Sequence, residues 1–260
     1  MEFLKRELAP ITNKAWEEIE ERAKSVLSNN LSGRRAINVC PPKGRSFEGI
    51  STGRMGLKQK DDLFYGVYKI QPLVETRISF VLNRWELDNI ERGAKGVNFD
   101  ALDEAVKKAA KFEDSAIFYG LPEACIEGLK SSAHPVQKFG TTDEATIKSM
   151  IAGIKLLRDS TAKKPYILVV SEEKWVYLNT VSKDPEFLKK LEKMIGNPII
   201  VSENVKEAFL MPYDDENLEL ALGMDYSIGY QDSDDVNVKL FITSSFAFRV
   251  LDKSLVVVFE

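Results

Sequence analysis

Residues 41–66 constrain this 260-residue chain more than any other stretch. They hold Pro41, Pro42, Gly44, Gly49, Gly53, Gly56 and Gly66 among charges, with few large apolar side chains. A structureless loop of that length is uncommon inside a compact domain. The stretch is therefore read as a long projecting hairpin arm whose partner is another molecule. The strand-like FYGVYKIQPLVETRISFVL follows, broken at Pro72.

Helical periodicity brackets the arm. The first helix is expected from about Asn13 to Leu27, with Thr12 as N-cap and Ile11 packing on Trp16 as a hydrophobic staple. Trp16, Ile19, Ala23, Val26 and Leu27 share one face, and Glu17, Glu21 and Lys24 the other. The clearest helix runs from Asp100, expected as its N-cap, to just before Gly120, which suits the C′ position. Leu102, Ala105, Val106, Ala109, Phe112, Ala116 and Ile117 form its expected buried stripe, with Lys107, Lys108, Lys111 and Asp114 facing away. Between the arm and this helix lies RWELDNIERG, residues 84–93, with Trp85 between Arg84 and Glu86. On residues alone it suits an active-site loop, a binding platform or a contact between copies of the chain.

Residues 133–223 alternate helix and strand patterns and read as a separate α/β lobe. TTDEATIKSMIAGIKLLRDS opens on a capping box, Thr141 to Glu144, and buries Ile147, Met150, Ile151, Ile154 and Leu157. PYILVVS is a buried strand, and SEEKWVYLNT and PEFLKKLEKMI are helices, the second stopped by Gly196. The chain then returns to alternating strands to its last residue, with a turn at Asp252-Lys253.

Composition removes several function classes. The net charge of −4 and the lack of a strongly basic stretch offer nothing to nucleic acid. No apolar run reaches the ~20 residues that a membrane helix needs. MEFLKRELAPIT lacks the apolar core of a secretion signal, so a cytoplasmic location is expected. Cys40 and Cys125 are far apart in sequence and form no metal-ligand or redox spacing, and His134, in SSAHPVQ, reads as a surface loop residue. Neither GxGxxG nor GxxxxGK[ST] occurs, and nothing pairs a nucleophile with a base.

MEFLKRELAPIT, the GRR at 33–35, RWELDNIERG, KFEDSAIFYG and LGMDYSIGYQD, in this order, resemble the encapsulins, a family of shell proteins. The resemblance spans the whole chain and is least in the arm and the α/β lobe. It implies the α+β fold of tailed-bacteriophage major capsid proteins. Residues 1–40 would then be an N-terminal helix and inner-wall segment, and 41–76 the arm, or E-loop. Residues 77–132 would be a P-domain around a spine helix, 133–223 an A-domain, and 224–260 the closing P-domain strands. It further implies self-assembly into an icosahedral nanocompartment of about sixty subunits. The shell would enclose a cargo enzyme through the cargo's C-terminal targeting peptide. Cargoes known for the family include ferritin-like iron-storage proteins and dye-decolourising peroxidases, which act in iron storage and oxidative stress. The shell itself would be no enzyme.

By position, the resemblance makes Leu27, Leu31, Arg34, Ile37, Asn38, Val39, Ile228, Tyr230 and Asp232 the cargo-peptide residues. An apolar groove would take aliphatic side chains while Arg34 and Asp232 hold charges. It places a pore loop at Ser182, Lys183 and Asp184. Trp85 becomes a subunit contact, or a stacking face for a planar ligand such as a flavin, with no cofactor or metal required. The rival readings are a phage or prophage capsid protein that packages DNA, and a flavoprotein or peptidase.

Overall fold

The computed structural model describes residues 3–133, 136–160, 162–180 and 186–260. In chain order come α1 (Asn13–Asn30), β1 (Asn38–Val39), β2 (Gly49–Lys60), β3 (Leu63–Pro72), β4 (Val74–Asn83), α2 (Arg84–Glu91) and α3 (Asp100–Tyr119). Then follow α4 (Leu129–Ser132), β5 (Val136–Gln137), α5 (Asp143–Asp159), β6 (Tyr166–Ser171), α6 (Glu172–Thr180) and α7 (Phe187–Ile195). The chain ends through β7 (Ile200–Ser202), β8 (Ala208–Pro212), β9 (Leu218–Ser233), β10 (Asn237–Val250) and β11 (Val257–Phe259). It divides into two compact units, and α3, β9 and β10 contribute residues to both.

The first unit comprises Met1–Leu31, Pro41–Phe112 and Leu222–Ala247. Its sheet pairs β4 antiparallel with β10, from Val74 opposite Phe246 to Asn83 opposite Asn237, and β9 lies on the other side of β10. Against it pack the apolar face of α1 (Trp16, Ile19, Ala23, Val26) and the stripe of α3 (Leu102, Ala105, Val106, Ala109). Thr12 Oγ1 accepts from the Ala15 amide at 3.2 Å, and Ile11 packs into the core that holds Trp16, so the expected cap and staple both form. Arg22 of α1 grips Asp103 of α3, its Nε at 2.8 Å. Asp100 is not the cap of α3. It is the first helical residue, and its amide donates at 2.9 Å to Asn98 Oδ1. Phe112 is 39% exposed rather than buried, with its ring edge-on to Phe246.

Most of RWELDNIERG, Arg84–Glu91, is a helix. Asn83 Oδ1 accepts from the amides of Trp85 (2.9 Å) and Glu86 (3.3 Å), which starts α2 directly at the end of β4. Leu87 and Ile90 turn into the core, and Gly93 beyond its C-terminal end takes φ +87°. Trp85, on the first turn, is 64% exposed.

The arm is a two-stranded hairpin, Gly49–Pro72, whose register shifts between Ser51 and Met55. Asp61 makes its turn at φ +53°, a conformation aspartate tolerates. Cross-strand partners share a face. Met55 opposite Tyr68, Leu57 opposite Gly66 and Gln59 opposite Phe64 therefore define one face, continued by Ile70. Lys58 opposite Tyr65 and Lys60 opposite Leu63 define the other, along with Val67 and Lys69. Leu57 is 81% and Phe64 75% exposed. A hairpin alone is marginal in water, and this one presents a continuous apolar face to it.

The second unit comprises Ser32–Cys40, Glu113–Ala221 and Phe248–Glu260. Its sheet has the order β5-β11-β8-β6-β7, antiparallel at β11–β8 and β8–β6 and parallel at β5–β11 and β6–β7. Met150 and Leu157 of α5 and Phe187, Leu191 and Ile195 of α7 cover it. Gly153 lets α5 approach closely, since a Cβ there would lie 2.7 Å from Phe259 Cζ. The N-cap of α5 is Thr142, not Thr141: its Oγ1 accepts from the Ala145 amide at 3.2 Å. Ile151, expected inside, is 53% exposed. Between strand and helix, Glu207 accepts from Tyr119 Oη (2.8 Å) and Lys130 Nζ (2.6 Å).

Candidate functional site

Residues 32–39 join α1 to β1 and carry four of the sequence-derived site residues, all within the second unit. Two successive carboxylates of α3 hold them. Glu113 and Asp114 are both fully buried. Asp114, expected on the solvent side of its helix, instead accepts from the Ser32 amide (3.1 Å), Ser32 Oγ (2.5 Å), the Gly33 amide (2.9 Å) and Asn204 Nδ2 (3.0 Å). Ser32 Oγ also lies 2.6 Å from Ser202 Oγ. Burial pushes the Asp114 carboxyl up, these donors pull it back, and burial wins. Glu113 takes the Arg34 guanidinium bidentately, at 2.6 and 2.8 Å. Arg34 therefore already has a carboxylate within its own chain. Gly33 lets the turn pack closely on α3, because a Cβ would lie 2.8 Å from Ile117 Cδ1 and 3.1 Å from Asp114 Oδ1 and these side chains would have to shift.

Beyond this turn the segment becomes β1, parallel to β9, with Asn38 beside Glu219 and Val39 beside Leu220. Asn38 Nδ2 donates to Asp214 Oδ1 at 3.0 Å, and both Asn38 and Val39 are half-buried. Ile37 is buried.

The other site residues lie in the first unit. Leu31 and Ile228 are buried. Leu27 and Tyr230 are partly buried against the core that contains Ile228. Tyr230 Oη lies 2.8 Å from Ser233 Oγ, and Asp232 is exposed with its carboxylate on the Ser233 amide. Surface is thus offered by Leu27, Tyr230 and Asp232 in one unit and by Asn38 and Val39 in the other. Ser182, Lys183 and Asp184 lie outside the described residues, as does His134. At Trp85 the Arg92 guanidinium lies over the ring, 6.0 Å from its centroid.

Sequence reasoning missed Glu113 and Asp114 as partners of the 32–34 turn. Both belong to KFEDSAIFYG, a motif it had singled out as it had GRR, but a charged pair on a helix gives no sign of which way it points. Among the described residues, no group of three or more His, Cys, Asp or Glu could hold a metal ion. No helix among them is long and apolar enough to cross a membrane.

A family model described as "Encapsulating protein for peroxidase" matches residues 1–247. The chain is 32% identical to a type 1 encapsulin shell protein of Mycolicibacterium paratuberculosis, over 95% of each chain. It is 31% identical to one of Rhodospirillum rubrum, over 96% of this chain and 94% of the other. A virus-like particle from Pyrococcus furiosus superposes with a TM-score of 0.67 at 14% identity, over 94% of this chain and 98% of that one. The capsid of the Myoviridae phage XM1 superposes at 0.58 and 9% identity, over 88% and 91%. These two likenesses give the fold, the α+β fold of phage capsid proteins. With a family match across nearly its whole length, the chain belongs to the encapsulin shell proteins.

Proposed function

We propose that the chain closes into an icosahedral nanocompartment of about sixty subunits that holds a cargo enzyme by the cargo's C-terminal targeting peptide. As an encapsulin shell protein it is a structural, self-assembling component and not an enzyme. The proposal adds closure, stoichiometry and cargo. The observation that carries it is the arm: Met55, Leu57, Phe64, Tyr68 and Ile70 line one exposed face of a hairpin of a kind that is marginal in water by itself. A second copy supplies what that face lacks. We assign residues 41–76 to this arm and 1–40 to the inner wall. Residues 77–132 and 224–260 form the P-domain in this reading, and 133–223 the A-domain with the pore loop at Ser182, Lys183 and Asp184.

The description of the matching family favours a peroxidase as cargo, and a ferritin-like protein is the second reading. We assign cargo-peptide contacts to Leu27, Tyr230 and Asp232 in the first unit, with the peptide's charge on Asp232, and to Asn38 and Val39 in the second. The particles would be cytoplasmic. Trp85 serves as a contact between copies, and its exposed ring can also stack a flavin.

Particles isolated from the source organism, viewed by electron microscopy and analysed by mass spectrometry, test this reading. The expected result is hollow shells that carry one oxidoreductase or ferritin-like protein with a C-terminal extension. Nuclease-resistant DNA inside them would point to a phage capsid instead. A yellow chromophore retained by wild-type shells and lost in Trp85→Ala would support the flavin site.

A further inference from the structure

Two motifs set apart in sequence, GRR at 33–35 and KFEDSAIFYG at 111–120, are one device in the structure. Asp114 fixes the backbone of Ser32 and Gly33, and Glu113 fixes the side chain of Arg34. Three successive residues are thereby held by two successive carboxylates of one helix. Buried carboxylates are a poor way to gain stability, because desolvation offsets most of what they gain, and apolar residues of like volume often do as well. Their attested use is to select one arrangement among several.

What this arrangement selects can be followed along the chain. The turn continues with the Ala36 and Ile37 amides donating to the Gly33 carbonyl at 2.9 and 3.1 Å, and the Asp214 amide donating to the Ala36 carbonyl at 3.3 Å. It then delivers Asn38 and Val39 into parallel register with β9. A slip of one residue would exchange the sheet faces on which the two side chains lie.

We infer that Glu113 and Asp114 are the positioning residues of the cargo-docking segment, holding residues 32–39 preformed from behind so that Asn38 and Val39 keep one register. This rests on the docking reading proposed above. Preformation matters because a segment that must order itself on binding loses affinity to that ordering.

Hydrogen exchange on assembled shells tests it, together with binding of a labelled synthetic peptide. The peptide copies the C-terminal extension of whichever protein co-purifies with the native particles. Asp114→Ala should speed exchange of the 32–37 amides about tenfold or more and weaken peptide binding by a similar factor, since the buried donors to Asp114 are left unmet. Asp114→Asn keeps an acceptor for the two amides and should restore both to within about threefold. Ser32→Ala, which removes only the hydroxyl contacts, serves if Asp114→Ala does not fold, and should move both readouts in the same direction by less. Unchanged exchange in these variants would overturn the inference, as would faster exchange with unchanged peptide affinity. Parent shells that do not bind the peptide at all would overturn the docking reading itself, and this inference with it.

Discussion

Asp114 and Glu207 are both acids with little exposure, yet they bias stability in opposite directions with pH. Burial works against the Glu207 charge, but hydrogen bonds from Lys130 and Tyr119 outweigh it and hold the carboxyl below its usual range. Its stabilising share is present above the ordinary glutamate pKa of about 4.3 and is lost as pH falls through the depressed folded value. Glu207→Gln should therefore lower stability at neutral pH by about 1 kcal/mol, with the deficit shrinking on acidification in a melting series. Asp114 has no cation among its donors, and burial raises its pKa. Its share is largest in acid, below the ordinary aspartate value of about 3.9, and fades as pH rises through the raised folded value. Asp114→Asn should flatten that part of the profile, and a parent-like pH profile in this variant would contradict the assignment. Tyr119, its phenol pushed up to about 12 by burial and by Glu207, stays neutral across both ranges. None of this was legible in sequence. The partners of Asp114 stand 81, 82 and 90 residues away, and a charge on an amphipathic helix is by default a solvated one.

Elements were far more legible than residues. The helices α1 and α3 follow from apolar periodicity over four or more turns, and the arm from its glycines and its lack of a core-forming stripe. The helix α2 escaped because eight residues with only Leu87 and Ile90 turned inward leave little periodicity to read. Thr142 caps α5 in place of Thr141, and Asn98 accepts from the amide of Asp100, the first residue of α3, shifts of one or two residues that sequence alone does not resolve. The arm yields the sharpest prediction at this scale. Each large apolar side chain buried at a contact contributes about 1.5–3 kcal/mol, repeated at every copy in a shell. Leu57→Asp or Phe64→Asp should leave a folded subunit that no longer assembles, whereas Lys58→Glu on the opposite face should retain particles. Size-exclusion chromatography with circular dichroism separates the outcomes, and normal assembly of Phe64→Asp would refute the assignment of faces. Within the second unit, Gly153→Val should cost about 1–3 kcal/mol by overpacking against Phe259, read as a lower denaturation midpoint.

At the scale of the whole molecule, the arm's apolar face and Trp85 both stay largely exposed among the described residues. Both make sense in a tiled surface, where a patch that would be a liability on a monomer becomes a joint. The whole-chain likeness carried by five short motifs made that reading available from sequence. The geometry of the proposed docking segment was not available there, because it depends on a turn fixed by residues distant in the chain. Charge-detection mass spectrometry of the purified chain near neutral pH tests the central claim most directly. The account predicts one dominant species of about 1.8 MDa, roughly sixty copies of the 29.3 kDa chain. A dominant 29.3 kDa monomer at micromolar concentration would contradict it.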